Sequence, residues 1–164
     1  MRGLPGEFIP LQAKHPVMFD TVIVATDGSE SVSRAVDVGL DLASRFGADV
    51  HALSVIDAGE VDASPEQLRE DLENALESHA EAALERVRER SAGGLTTEIR
   101  EGHPAPEICA YARETDADLI VTGTRGRHGE NRFLLGSVAE KVVESAPIPV
   151  LTVRQLETAE DAEA

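Results

Sequence analysis

Five short aliphatic runs, separated by stretches whose apolar residues recur at helical spacing, constrain this chain more than any other feature. The runs are Thr21–Ala25, residues 50–56, a weaker alternating segment at 95–100 ended by Gly102, the trio Leu119, Ile120 and Val121, and Val150–Val153. After the first run, Val32, Ala35, Val36, Gly39, Leu42, Ala43 and Phe46 keep helical period until Gly47, a residue suited to the left-handed end of a helix. After a polar loop at 57–64, Pro65 opens a long helix with a stripe of Leu68, Leu72, Ala75, Leu76, His79, Ala83 and Val87. His103 and Pro104 start a third helix through Ile108, Tyr111 and Ala112. Ser137 and Glu140 have capping-box spacing ahead of a fourth through Val138, Val142 and Val143, which Pro147 stops. The fully apolar 119–121 run predicts a central strand. Strands alternating with helices imply right-handed crossovers, hence an α/β fold: a doubly wound five-stranded parallel sheet with helices on both faces.

Composition fits that reading. At 164 residues with 41% apolar content, one domain can bury its own core, and with no Trp and one Tyr that core must be Val, Ile, Leu and Ala. Thirty-one acidic residues against fifteen basic ones give a net charge of −16, which repels a phosphodiester backbone and excludes nucleic acid as a partner. Only Lys14 and Lys141 are lysines. Heavy acidity with few lysines suits high salt, where screening over about 3 Å at 1 M removes self-repulsion, so a halophilic archaeon is the expected source. Cys109, beside Ile108, Tyr111 and Ala112, reads as a buried small hydrophobe. No apolar run is long enough for a membrane span and no secretory signal is visible, so a cytoplasmic location is expected. Residues 1–17 read as an irregular extension and 155–164 as a disordered acidic tail, leaving 18–154 as the domain, with Met18 directly before its first strand.

In such a sheet ligands bind beyond the carboxyl ends of strands where strand order reverses, and Asp27 and Gly123 both stand at such ends. Gly123, Thr124, Arg125 and Gly126 are followed after nine residues by Gly136 and Ser137. A glycine-rich loop between a strand and a helix presents backbone N–H groups to an anion, and Arg125, Arg127 and Arg132 add positive charge beside it. The sequence has neither the G-x-x-x-x-G-K-[ST] pattern of a P-loop nor a G-x-G-x-x-G after the first strand. Plainer roles fit the same residues: Gly123, Gly126, Gly129 and Gly136 as turn formers, Asp27 as a turn or cap residue, Ser137 as a cap, Arg127 and His128 as solvated side chains, His79 as a satisfied, partly buried histidine.

Three segments together, Gly123-x2-Gly126-x9-Gly136-Ser137, Thr26-Asp27-Gly28-Ser29 and Gly102-His103-Pro104, resemble the universal stress protein family in its ATP-binding branch, over about residues 18–154. The resemblance implies strand order 3-2-1-4-5 and ATP, with or without Mg2+, or AMP or ADP, at the ends of strands 1 and 4. It places adenine and ribose near Ala25, Thr26, Asp27 and Val55, and lines the loop with Thr122, Gly123, Arg125 and Gly126. Phosphates would meet the backbone N–H groups of Gly136, Ser137, Val138 and Ala139 and the Ser137 hydroxyl. Ala25 departs from a proline common in the family, and Arg125 from a histidine or serine. The resemblance also implies a homodimer through the Val150–Val153 edge, which a proline at Leu151 should break. The implied role is a stress or energy-state regulator. No catalytic set is legible, so any ATP hydrolysis should be weak. The alternatives are a slow nucleotide hydrolase or transferase, and a nucleotide-free dimeric interaction module.

Overall fold

The computed structural model describes residues 19–125 and 135–156. The expectations for residues 1–17, for Gly126, Arg127, His128, Gly129 and Arg132, and for 157–164 lie outside the described residues. In chain order the elements are β1 (Thr21–Ala25), α1 (Ser33–Phe46), β2 (Asp49–Asp57), α2 (Ala58–Asp62), α3 (Arg69–Arg90), β3 (Leu95–Gly102), α4 (Pro104–Glu114), β4 (Leu119–Gly123), α5 (Ser137–Ser145) and β5 (Val150–Val153). All strand pairs are parallel, in the order β3-β2-β1-β4-β5. β1 is the middle strand and β4 lies beside it inside the sheet, as its apolar run predicts, and both are buried almost throughout.

Side-chain alternation along β1 and β4 divides the core in two. Val22, Val24 and Val121 face α1 and α3, where Val32, Ala35, Val36, Leu84 and Val87 cover them. Ile23, Ala25 and Ile120 face α4 and α5, covered by Ile108, Tyr111, Ala112 and Val142. α1 comes so close that a Cβ on Gly39 would lie 2.6 Å from a Val24 methyl carbon. Gly47 ends α1 in the left-handed conformation with φ of 66°. Cys109 is buried as expected, and burial pushes its thiol pKa up.

α4 is fastened to β3 by Arg100, which donates to both carboxylate oxygens of Glu114 and lies 4.8 Å above the centroid of the Tyr111 ring. The Arg100 hydrogen bond holds the Glu114 carboxyl below its ordinary value. This contact joins β3 to the helix whose Pro104 and Ile108 lie at the carboxyl end of the sheet.

Three local readings are corrected. The polar stretch 57–64 contains a short helix, because the Asp57 carboxylate accepts a hydrogen bond from the Gly59 N–H, 2.9 Å away, and caps α2. Pro65 opens only a 3-10 turn at Glu66–Leu68, and α3 begins at Arg69. The inward stripe of α3 is therefore Leu76, Ala80, Ala83, Leu84 and Val87, while Leu68 is 54% exposed and Ala75 faces solvent. Beyond β5, Gln155 accepts a hydrogen bond from the Arg34 N–H in the first turn of α1, 3.1 Å away.

Candidate functional site

The β1 end is a tight turn held mostly by its own side chains. Thr26 continues the ladder by donating its N–H to the Leu53 carbonyl at 2.9 Å, and its Oγ1 accepts from the Gly28 N–H at 3.1 Å. One oxygen of Asp27 accepts from the Ser29 N–H at 2.9 Å and from the Ser29 hydroxyl at 2.6 Å. This is the Asx turn by which a short carboxylate fixes the backbone just after it. Gly28 has φ of 75°, a region that favours glycine.

β2 runs past the end of β1. Its pairing with β1 stops at Ala25 opposite Leu53, whereas its pairing with β3 continues to Asp57 opposite Gly102. In a parallel ladder successive residues direct their backbone groups to opposite neighbours. Leu53 faces β1, so Val55 faces the same way, and its N–H and C=O open into the space above the end of β1.

The β4 end makes the other wall. A Cβ on Gly123 would lie 3.2 Å from the Arg125 carbonyl oxygen and 3.3 Å from that of Ser31, so the backbone after β4 and the turn ahead of α1 leave little room for a side chain. Thr124 donates its N–H to the Val153 carbonyl at 3.1 Å, and Gly136 donates its own to the Thr124 carbonyl at 2.6 Å. The two ends of the loop are thus pinned together at the start of α5. Gly136 is the extended N-cap of α5, and Glu140 donates the first intrahelical bond to it at 2.9 Å. That leaves the N–H groups of Ser137, Val138 and Ala139 without intrahelical partners, pointing out of the positive end of the helix. Two expectations change here. The Gly136 N–H is already spent on Thr124, and no side chain caps α5, so Ser137 and Glu140 do not form a capping box.

These walls enclose a cleft of about 210 Å³. It brings together Ala25, Thr26 and Asp27 from β1, Val55 from β2, and Thr122, Gly123 and Arg125 from β4. Gly136, Ser137, Val138 and Ala139 close it from the start of α5. Of the residues that the family resemblance places at the nucleotide, Gly126 lies outside the described residues, as do Arg127 and Arg132 of the same loop. The cleft adds Val32, Leu53, Asp57, Glu60, Pro104 and Ile108. Pro104 had a signal in the Gly102-His103-Pro104 segment. Asp57 and Glu60 had none, because their place follows from how far β2 overhangs β1.

Charge is divided across the cleft. Asp57 and Glu60 lie at the β2 side and Asp27 in the middle, while Arg125 and the α5 N-terminus make the β4 side positive. Among the described residues no group of three or more His, Cys, Asp or Glu side chains could hold a metal ion. Nor is any helix among them long and apolar enough to cross a membrane.

Comparison with known proteins agrees with this architecture. The sequence model of the universal stress protein family matches residues 18–154. Universal stress protein MJ0531 of Methanocaldococcus jannaschii is 37% identical over 142 residues, spanning 84% of this chain and 84% of that protein. Among solved structures, universal stress protein UspA from Lactobacillus plantarum superposes with a TM-score of 0.69 at 31% identity, covering 82% of this chain and 97% of that one. A universal stress protein crystallised in complex with cAMP superposes with a TM-score of 0.61 at 27% identity, over 83% of this chain and 97% of that one.

Proposed function

Because the chain belongs to the universal stress protein family, we propose that it binds an adenine nucleotide, ATP above others, and acts as a regulator that reports energy or stress state. The observation that carries this reading is the pairing of two features across one cleft. On one side, three helix-terminal N–H groups and Arg125 offer donors only, which suits phosphate oxygens. On the other, the Val55 peptide offers one donor and one acceptor at a strand edge, which suits N1 and the exocyclic amine of adenine. Asp27 and Thr26 stand between them, within the reach expected for ribose hydroxyls. The cAMP bound by a structural neighbour supports an adenine nucleotide in particular.

The residues fit the nucleotide without a catalytic set, so its binding is the function proposed. Mg2+ would arrive with a triphosphate, neutralising part of its charge. The phosphates would lie on the N–H groups of Ser137, Val138 and Ala139, with the Ser137 hydroxyl beside them; a glycine at 136 keeps the approach open. Residues 18–154 would form the binding domain between a short extension and an acidic tail, in a protein of the cytoplasm of a salt-adapted cell. β5 leaves one sheet edge open, and pairing of two such edges would make the homodimer.

Calorimetric titration with ATP, ADP, AMP and cAMP tests the proposal. Saturable binding tighter than about 1 mM, strongest for ATP, is expected, and weaker binding than that for every nucleotide would overturn it.

A further inference from the structure

His79 sits midway along α3, half-buried, and falls in sequence among the helix's inward residues Leu76, Ala80 and Ala83. Its Nε2 lies 3.0 Å from the main-chain oxygen of Asp27. A carbonyl oxygen can only accept, so Nε2 carries the proton and donates it. The contact joins residues 52 positions apart, from a helix on one face of the sheet to the turn that closes the middle strand.

The same face of α3 forms the seat of that turn. A Cβ added to Gly28 would meet Ala83 Cβ at 2.8 Å, His79 Nε2 at 3.0 Å and Arg86 Nη2 at 3.1 Å. Residues 79, 83 and 86 follow one another at helical spacing, so the Asp27–Gly28 peptide is laid against one row of α3 side chains. The Asp27 and Thr26 side chains shape the turn internally through Ser29 and Gly28. The His79 bond ties the shaped turn to a separate element.

We propose that His79 is a positioning residue for nucleotide binding: by holding the Asp27 carbonyl it keeps Thr26 and Asp27 aimed into the cleft. The inference rests on the nucleotide reading above. His79 is not among the residues that line the cleft, so its effect on a ligand must pass through the turn. Apparent affinity scales with the fraction of molecules whose site is already in the binding geometry. Removing one net hydrogen bond from the turn lowers the equilibrium constant for that geometry by about fivefold, and affinity falls by up to the same factor.

The test compares His79→Leu, which keeps bulk and removes the donor, with His79→Gln, whose side-chain amide can donate to the same carbonyl. Each is titrated with ATP and melted without it. The expected result is ATP binding weaker in His79→Leu, by up to about fivefold, and closer to the parent in His79→Gln. In the parent protein, the His79 Nε2 nitrogen resonance should also move when ATP saturates the site. Equal affinity for the Leu variant and the parent would overturn the inference. So would a Gln variant as weak as the Leu variant. If His79→Leu does not fold, the parent resonance decides, and an unmoved Nε2 at saturation overturns the inference. Absence of saturable ATP binding by the parent would instead mark the failure of the nucleotide reading, and the inference would fall with it.

Discussion

Ser137→Pro removes one of the N–H groups proposed to hold phosphate while leaving the helix that carries it. Ser137 is the first residue of α5, and its N–H lies ahead of the first intrahelical acceptor. Proline is favoured at that position because its ring fixes φ near the helical value and the N–H it lacks is unpaired in any case. The residue before it must be extended, and Gly136 already has φ of −65° and ψ of 159°. No side-chain cap is lost, since the Ser137 hydroxyl makes none. The apo protein should therefore be as stable as the parent or gain about 0.4–1 kcal/mol from the stiffer unfolded chain. For a bound phosphate the change runs the other way. A hydrogen bond to a charged group is worth about 1.5–3 kcal/mol, so ATP should bind roughly 10- to 150-fold more weakly. Ser137→Ala separates the hydroxyl from the backbone donor. Calorimetry on both variants, with thermal melts, gives a signature that damage to the fold cannot mimic: unchanged or higher melting temperature with lost affinity, and a Pro variant much weaker than the Ala variant. Equal ATP affinity in Ser137→Pro and Ser137→Ala would refute the assignment of phosphate to the α5 N-terminus.

Three further outcomes are expected. The Pro149 and Val153 carbonyls both face β4, so Leu151 directs its N–H inward and Thr152 directs its own outward. Thr152→Pro, rather than the Leu151→Pro suggested by the sequence, should then halve the mass seen by light scattering while leaving the β4–β5 ladder intact; persistent dimers would exclude this edge as the interface. With a net charge of −16, raising KCl from about 0.1 M to about 1 M shortens the screening length from about 10 Å to about 3 Å and should raise the melting temperature, by about 2–4 °C per kcal/mol of relieved repulsion; a falling melting temperature would contradict the charge argument. Arg100 holds the Glu114 pKa below its ordinary value of 4.5, so this pair's stabilisation is complete above that value and is lost as pH falls through the lowered one. Between about pH 6 and about pH 3 the parent should lose more melting temperature than Glu114→Gln, and parallel losses would show that the pair does not contribute.

Strand positions were legible because Thr21–Ala25, 119–121 and Val150–Val153 are short apolar runs of the kind that a strand covered on both faces shows; which face each side chain takes follows from the period of two only once the covering helices are placed. Strand order was not local. It entered through three short segments at strand ends, and it decides which ends meet. What escaped the sequence depends on distance along the fold. Asp57 and Glu60 line the cleft because β2 outruns β1 by four residues, a length that neither strand reveals alone. The cap of α5 differs from the Ser137 and Glu140 pattern because Gly136 is tied to Thr124 across the loop, which sets the helix start from outside the helix. The buried stripe of α3 keeps Leu76, Ala83 and Val87 and takes in Ala80 and Leu84, whereas Leu68 falls in the 3-10 turn ahead of the helix and is exposed.

The charge pattern of the cleft bears on how so acidic a protein could hold a polyanion. Asp27, Asp57 and Glu60 outnumber Arg125 among its described lining residues, so summed side-chain charge cannot be the attraction there. In the proposed site the donors at the α5 N-terminus would act instead through contact hydrogen bonds and a helix dipole whose effect fades within a turn. Interactions of that range lie inside a screening length of about 3 Å at 1 M salt, whereas attraction from a ring of lysines at longer range would be largely screened away. A backbone cradle is thus the kind of phosphate site that a sequence with two lysines can keep in concentrated salt, and the acidic surface that the rest of the chain carries need not compete with it.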